Sequence, residues 1–157
     1  MPPKAPPVLL NQFLDESLVV YSDAKLTKHE AIADLLARLA AAKKIDAPAC
    51  LAKVVERESG PTTTLDTGLA IPHARVAGLK EVVAILGIYP NQVTDPQQAD
   101  LPIRIVFLFL SPDDPKFFGT NLQILRRIAI VFQPALIDKL LQAKSPAKAL
   151  EIIRAKD

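Results

Sequence analysis

Several residue types that support common kinds of protein site are scarce in this sequence. One cysteine among 157 residues excludes an intrachain disulfide, and two histidines form no cluster at zinc-ligand spacing. Five glycines form neither a Walker motif nor a glycine-rich dinucleotide loop. Lysine and arginine exceed aspartate and glutamate by only 19 to 17, and no basic run stands out. We therefore expect no metal, no organic cofactor and no nucleic-acid partner.

Long hydrophobic runs are also lacking. The longest apolar stretch, Ile103 to Leu110, is far too short to span a bilayer and is interrupted by Arg104. The proline-rich residues 1–7 lack the apolar core of a signal peptide. The sequence therefore predicts no insertion into a membrane, a cytoplasmic location, and a flexible tail over residues 1–7.

The chain does have enough apolar sequence for a folded core. Half of its residues are hydrophobic, and no internal repeat or second linker divides it. We therefore predict a single domain over residues 8–157.

Two helices are predicted in the first part of the chain. Thr27 and Glu30 have the spacing of a capping box, and an apolar stripe of helical period follows them. The stripe consists of Ile32, Leu35, Leu36 and Leu39. Asp46 is a good N-cap for a second helix, which is predicted to run to about Glu58. Its predicted buried side consists of Leu51, Val54 and Val55.

Branched and aromatic residues predict two strands, Val82 to Ile88 and Ile103 to Leu110. The second strand has hardly any polar alternation, which is typical of a central strand covered on both faces. A short apolar piece, Leu69 to Ile71, ends at a proline, and Tyr89 to Pro102 is predicted to be a loop.

Helical periodicity returns after the turn that ends at residue 115. One predicted helix has a single apolar face formed by Leu122, Leu125, Ala129 and Phe132. A further helical run follows Pro134, and Ser145 is placed as the N-cap of a terminal helix. Helices around a buried sheet indicate an α/β layered domain, whose strand order the pattern leaves open.

His73 is the main candidate for chemistry. Pro72 stiffens the chain immediately before His73, which predicts a histidine presented at a strand end. A neutral imidazole nitrogen is a good nucleophile toward phosphorus when the other ring nitrogen is held by a hydrogen bond. Arg75 and the Thr62-Thr63-Thr64 run could supply the charge and donors that a phosphoryl group needs. A packed or merely exposed histidine is nevertheless the commoner role for such a residue.

The other reactive side chains have ordinary structural interpretations. His29 lies in the first turn of a capped helix, where a solvated surface role is expected. Cys50 falls on an apolar helix position, where a buried, inert thiol is expected. Arg126 and Arg127 are expected to form a solvated helix edge.

The segment Gly68 to Arg75 resembles the phosphorylation-site signature of enzyme IIA domains of the bacterial phosphotransferase system. The resemblance is to the mannitol/fructose class, which includes the nitrogen-regulatory IIA proteins. Val54 to Glu58 is similar to the family's Arg-Glu helix end, and Thr62-Thr63 to its Ser-Thr loop. Ile105 to Pro112 resembles the family's central strand, and Leu122 to Phe132 its long helix. The resemblance therefore covers nearly the whole chain after the tail.

The resemblance implies a mixed sheet sandwiched between helices and a phosphotransferase component. His73 would accept phosphate from the phosphohistidine of the carrier HPr and pass it to a IIB component, while Arg57 would contact the phosphoryl group. In the alternative role, that of the nitrogen-type regulatory relatives, phosphorylation of His73 would switch binding to a regulatory protein target.

Two positions depart from the family pattern. Asn121 stands where the family commonly has a second histidine, and an asparagine cannot carry charge near the phosphate. The loop from Thr64 to Thr67 lacks the glycines of many relatives, so its shape is open. A third alternative is a degenerate IIA-like domain that is never phosphorylated.

Overall fold

A mixed sheet forms the centre of the computed structural model, which describes residues 8–62 and 64–157. In these ranges the strands are β1 (Val19–Tyr21), β2 (Leu69–Ala70), β3 (His73–Val76), β4 (Val83–Val93) and β5 (Ile103–Pro112). The order across the sheet is β1-β4-β5-β2, and β3 continues along β5 beyond β2. The predicted tail over residues 1–7 lies outside the described residues.

β5 is the central strand, as predicted from its continuous apolar run. It pairs antiparallel with β4 on one side and parallel with β2 and β3 on the other. β1 adds a parallel strand to the outer side of β4. Every residue of β5 except Arg104 is buried, because helices cover both faces of the sheet.

The prediction of a loop from Tyr89 to Pro102 is wrong in its first part. β4 continues to Val93, which pairs with Ile103 after a register shift that begins at Ile88. The shift makes room for Pro90, which has no N–H to donate to a ladder, and Gln92 takes a positive φ of 66°. Residue propensities alone therefore predicted an end of β4 that lies too early in the chain.

Five helices pack around this sheet in the described ranges. They are α1 (Lys28–Lys43), α2 (Ala47–Glu58), α3 (Phe118–Val131), α4 (Pro134–Ala143) and α5 (Pro146–Lys156). The predicted caps are confirmed. Thr27 and Glu30 form a reciprocal capping box, and the side chains of Asp46 and Ser145 accept from helix N–H groups.

α1 packs on β4 and β5, with α2 beside it against β3, whereas α4 and α5 pack on the sheet from the other side. This layering confirms the predicted α/β class with a mixed sheet sandwiched between helices. The predicted stripe of α1 is buried along its whole length.

Two predicted helix faces need correction. Leu122 is 69% exposed and Ala129 is exposed, because α3 buries Ile124, Ile128 and Val131 instead. In α2, Val55 is 40% exposed and only Val54 of the predicted side is fully buried. Apolar residues cover more than half of each helix, so periodicity alone did not identify the buried stripe.

The N-terminal segment contains structure that the sequence did not predict. Two 3₁₀ turns, Leu10–Gln12 and Glu16–Leu18, lead into β1. None of the helices in the described part of the chain is both long and apolar enough to cross a bilayer.

Candidate functional site

His73 lies on an interrupted edge strand of the sheet. Leu69 pairs with Ile105 and His73 pairs with Phe109 in one unbroken register, so β2 and β3 follow the same edge of β5. Pro72 separates the two pieces, and its carbonyl oxygen accepts a hydrogen bond from the Phe109 N–H at 3.1 Å. His73 therefore follows the end of β2 but is itself the first residue of β3, so the predicted strand end is a short interruption of one edge strand.

The imidazole of His73 is fixed in position and in tautomer. Its Nδ1 lies 2.7 Å from the carbonyl oxygen of Ile71, which can only accept, so Nδ1 carries the proton. The ring stacks on Phe109 with centroids 5.0 Å apart and planes 7° from parallel. The lone pair is consequently on Nε2, and the ring is half-buried rather than fully enclosed.

The surroundings keep this imidazole neutral. Burial is the main cause that lowers the pKa of His73 below its ordinary value, and the guanidiniums of Arg57 and Arg75 lower it further. The hydrogen bond to Ile71 and the carboxylate of Glu58 act in the opposite direction but do not reverse the shift. A neutral ring at neutral pH has the free lone pair that a nucleophile needs.

Arg57 and Arg75 come together beside the histidine. Both line an open cavity of about 480 Å³, together with Lys53, Glu56, Gly60, Pro61 and Asp113. The Arg57 Nη1 donates to the carbonyl oxygen of Pro61 at 2.8 Å, and the Arg75 guanidinium lies 4.5 Å from the centre of the Phe118 ring. The cavity therefore offers the positive charge of Arg57 and Arg75 to an anion, although His73 is not among the residues that line it.

Thr62 does not line this cavity. Its hydroxyl donates to Gln98 Oε1 at 2.9 Å and accepts from the Thr64 N–H at 3.1 Å, so it closes the loop. Arg57 and Thr62 line different cavities, which share Gly60. Thr63 lies outside the described residues, and its role stays a prediction.

The loop from Thr64 to Thr67, just before the signature segment, forms without the glycines that many family members have there. Gly68, with φ of +92°, is the only residue with positive φ among residues 64–68. Its carbonyl oxygen accepts from the N–H groups of Arg104 and Ile105 at 2.8 and 3.1 Å. One glycine therefore suffices to bring this loop onto β5.

Asn121 lies near the start of α3. It precedes Ile124, Ile128 and Val131 on the buried stripe of α3, one turn after Phe118. Its Oδ1 is buried and has no hydrogen-bond partner among residues 8–62 and 64–157, and the described structure places no hydrogen bond between Asn121 and His73.

Sequence reasoning missed a buried cluster of charges beside the site. Lys28 is 8% exposed, and its Nζ lies 2.6 Å from Glu58 Oε2 and 3.1 Å from Thr64 Oγ1. The available signal was a cation at the first position of α1, where the helix dipole disfavours it. Two structural expectations are confirmed. His29 is exposed, and Cys50 is buried, with the pKa of its thiol raised by desolvation.

Known proteins share both the sequence and the fold described above. A family model described as phosphoenolpyruvate-dependent sugar phosphotransferase system, EIIA 2, matches residues 12–156. The chain belongs to this family. It is therefore a IIA component, that is, a phosphotransferase component of the system.

Nitrogen-regulatory and mannitol-specific relatives are both similar to this IIA chain. A nitrogen regulatory protein of Bradyrhizobium diazoefficiens is 26% identical over 129 residues, which cover 82% of this chain and 83% of the relative. The crystal structure of nitrogen regulatory protein IIA-Ntr from Neisseria meningitidis has a TM-score of 0.79 at 22% identity, covering 92% of this chain and 98% of that one. Enzyme IIA-Mtl of Escherichia coli, solved in complex with phosphorylated enzyme IIB-Mtl, has a TM-score of 0.74 at 17% identity, covering 90% and 97%.

Proposed function

We propose that this chain carries a phosphoryl group on Nε2 of His73, taken from the phosphohistidine of HPr and passed to a IIB component. The observation that carries the proposal is the hydrogen bond of 2.7 Å from Nδ1 to Ile71, which leaves Nε2 as the nucleophilic nitrogen. The neutral state of the half-buried ring supports it.

The transfer step needs no proton to leave the ring. The Nε2 lone pair forms a bond to phosphorus while the donor's N–P bond breaks and its electron pair returns to the donor nitrogen. The proton on Nδ1 stays in place, and its hydrogen bond to Ile71 stabilises the positive charge that the ring gains. Stacking on Phe109 holds the ring orientation during the step.

Arg57 is proposed to bind the phosphoryl oxygens, with Arg75 as a second source of positive charge. A guanidinium has five N–H donors in a fixed fork, so Arg57 can keep its hydrogen bond to Pro61 and still donate to an anion. Thr62 and Thr63 are proposed to shape the phosphate-binding loop, and Asn121 to orient the imidazole or the phosphate.

The proposed partners are HPr as donor and IIB as acceptor, and a cytoplasmic location follows from them. The solved complex of IIA-Mtl with phosphorylated IIB-Mtl supports a IIB partner for this chain, since the two IIA folds are similar over most of their length. No cofactor takes part, because the imidazole itself forms the covalent intermediate.

A regulatory role is the second candidate, and a specific observation favours it. The relative from Bradyrhizobium diazoefficiens, which is similar over 82% of this chain, is a nitrogen regulatory protein. In this role phosphorylated His73 would switch binding to a protein target. Pull-down of targets with phosphorylated and unphosphorylated chain tests it, and binding indifferent to phosphorylation would count against a switch.

The experiment that tests the carrier role is intact-mass analysis after incubation with enzyme I, HPr and phosphoenolpyruvate. We expect the gain of one acid-labile phosphoryl group in the wild-type chain and none in His73→Ala. Labelling that persists in a folded His73→Ala variant would remove His73 from the role. No labelling of the wild-type chain beside a working control IIA would favour the degenerate alternative.

A further inference from the structure

A cluster of buried charges joins two segments that lead into the candidate site. The Lys28 ammonium contacts Glu58 at 2.6 Å and lies 3.9 Å from Asp95, and the side chains of all three are between 10 and 13% exposed. The same ammonium donates to Thr64 at 3.1 Å. Lys28 therefore contacts the end of α2 and the loop before β2 at once.

The position of Lys28 is unfavourable in two ways. It is the first residue of α1, where the positive end of the helix dipole opposes a cation, and it is buried, which removes its hydration. A Lys–Glu pair in such a place contributes little to stability compared with well-packed apolar residues. Stability alone therefore does not account for it.

The contacts of Lys28 lead directly to the two chemical groups of the site. Glu58 follows Arg57 in the last turn of α2, and its carboxylate is close enough to His73 to influence the pKa of the imidazole. Thr64 bridges to Ala70 of β2, three residues before His73. The ammonium thus ties the segment that carries Arg57 to the strand that leads to His73.

We infer that Lys28 is a positioning residue for phosphotransfer: its buried ammonium holds the α2 terminus and the Thr64 loop together, and so places Arg57 relative to His73. The inference rests on the proposed carrier function. It assigns Lys28 no contact with the phosphoryl group, since its donors are directed to Glu58 and Thr64.

A double-mutant cycle separates this role from general stabilisation. In the wild-type background, Lys28→Met should lower kcat for phosphorylation by phospho-HPr about tenfold to a hundredfold, because small misplacements of a positioned group are costly. The KM for phospho-HPr should stay unchanged. In an Arg57→Ala background the same change should cost less than about twofold, because the effect of Lys28 acts through Arg57.

Arg127→Met is the matched control, since it removes the cation of another part-buried ion pair, with Asp157. It should leave kcat unchanged. Thr64→Val removes only one acceptor of the ammonium, and it gives a second, milder test of the same link if Lys28→Met does not fold. We expect it to lower kcat in the same direction.

Amide hydrogen exchange gives a readout that does not depend on activity. Lys28→Met should accelerate exchange in residues 58–62 and 64–65 selectively, whereas Arg127→Met should not. Equal losses of kcat from Lys28→Met in both Arg57 backgrounds, or unchanged kcat and exchange in folded Lys28→Met or Thr64→Val, would overturn the inference. Failure of the wild-type chain to be labelled would instead overturn the carrier function, while accelerated exchange would still support the structural link.

Discussion

Two ion pairs, one buried and one part-buried, lie in different regions of the molecule and have different neighbours. Lys28 and Glu58 meet at 2.6 Å between α1, α2 and the loop before β2, next to the candidate site. Arg127 does not lie on the solvated helix edge that the sequence predicted: it meets Asp157 at 3.3 Å between α3 and the end of α5, and the Asp157 side chain is only 1% exposed. Arg127 lies nine residues after Phe118, or about 13 Å along α3 by the helix rise.

The neighbours explain what each pair does. The Asp157 carboxylate also accepts from the N–H groups of Leu10 and Asn11 at 3.0 and 2.8 Å, so it fastens the N-terminal 3₁₀ turn to α3 and α5. Lys28 instead fastens segments that carry site residues. The Arg127–Asp157 pair therefore joins the N-terminal turn to α3 and α5, whereas the Lys28–Glu58 pair, as we infer, sets the geometry of the candidate site.

The largest expected effect comes from removing the guanidinium at the site. Arg57→Ala should lower the rate of His73 phosphorylation about a hundredfold or more, because the donor that we propose for the transferred group is lost. Thermal unfolding should change little, because Arg57 is only half-buried. Quench-flow experiments measure the phosphorylation rate, and calorimetry measures thermal unfolding. A large loss of stability with a normal rate would show that Arg57 stabilises the fold and does not contact the phosphoryl group.

Asp157→Ala is expected to show the opposite behaviour. Loss of the carboxylate leaves two N–H groups and Arg127 without their acceptor, which should lower the free energy of unfolding by about 2 kcal/mol. The phosphorylation rate at a temperature well below unfolding should be unchanged. A comparable drop in rate would show that the two regions are coupled.

The pH dependence of phosphotransfer gives a further comparison between the His73 site and the Asp157 region. Because burial lowers the pKa of His73, the phosphorylation rate should stay high below pH 6.5 and fall only as the ring is protonated at lower pH. The lowered pKa also means that the unfolded chain binds this proton more readily. Protonation therefore reduces stability as pH falls through the unfolded value, and the loss levels off below the folded pKa. Asp157→Ala should have the same kinetic midpoint, and a midpoint above 6.5 in either protein would contradict the assigned environment.

Asn121→His is expected to have the smallest effect. Asn121 lies on the same helix as Arg127 but nearer its start, with a buried Oδ1 that has no hydrogen-bond partner within the described ranges. If a second imidazole assists transfer, onward transfer to IIB should accelerate a few-fold. An unchanged rate in a stopped-flow assay would indicate that Asn121 already suffices there.

Local signals in the sequence predicted much of the fold. The caps at Thr27, Asp46 and Ser145 set the starts of three helices, because a cap is a chemical requirement of the first turn. The extension of β4 beyond Ile88 was missed, since it depends on pairing with Ile103 across the sheet. The exposed Leu122 was missed for the same kind of reason, because packing and not periodicity selects the buried stripe.

The candidate site was predictable only in part. The position of His73 at a break in the edge strand follows from the proline before it, and Arg57 entered through the family resemblance rather than any local pattern. The hydrogen bond to Ile71, the stacking on Phe109 and the burial of Lys28 all depend on contacts that form only when distant segments meet.

The hydrogen bond that orients His73 also protects the open edge of the sheet. Along the outer side of the edge strand, the Leu69 carbonyl oxygen accepts from the Leu65 N–H at 2.7 Å, and the Ile71 carbonyl oxygen accepts from the imidazole. Without these donors, the carbonyls would be available to pair with a strand from another molecule. His73→Ala therefore leaves the Ile71 carbonyl oxygen without this donor, and the variant should self-associate more readily at high concentration than the wild-type protein.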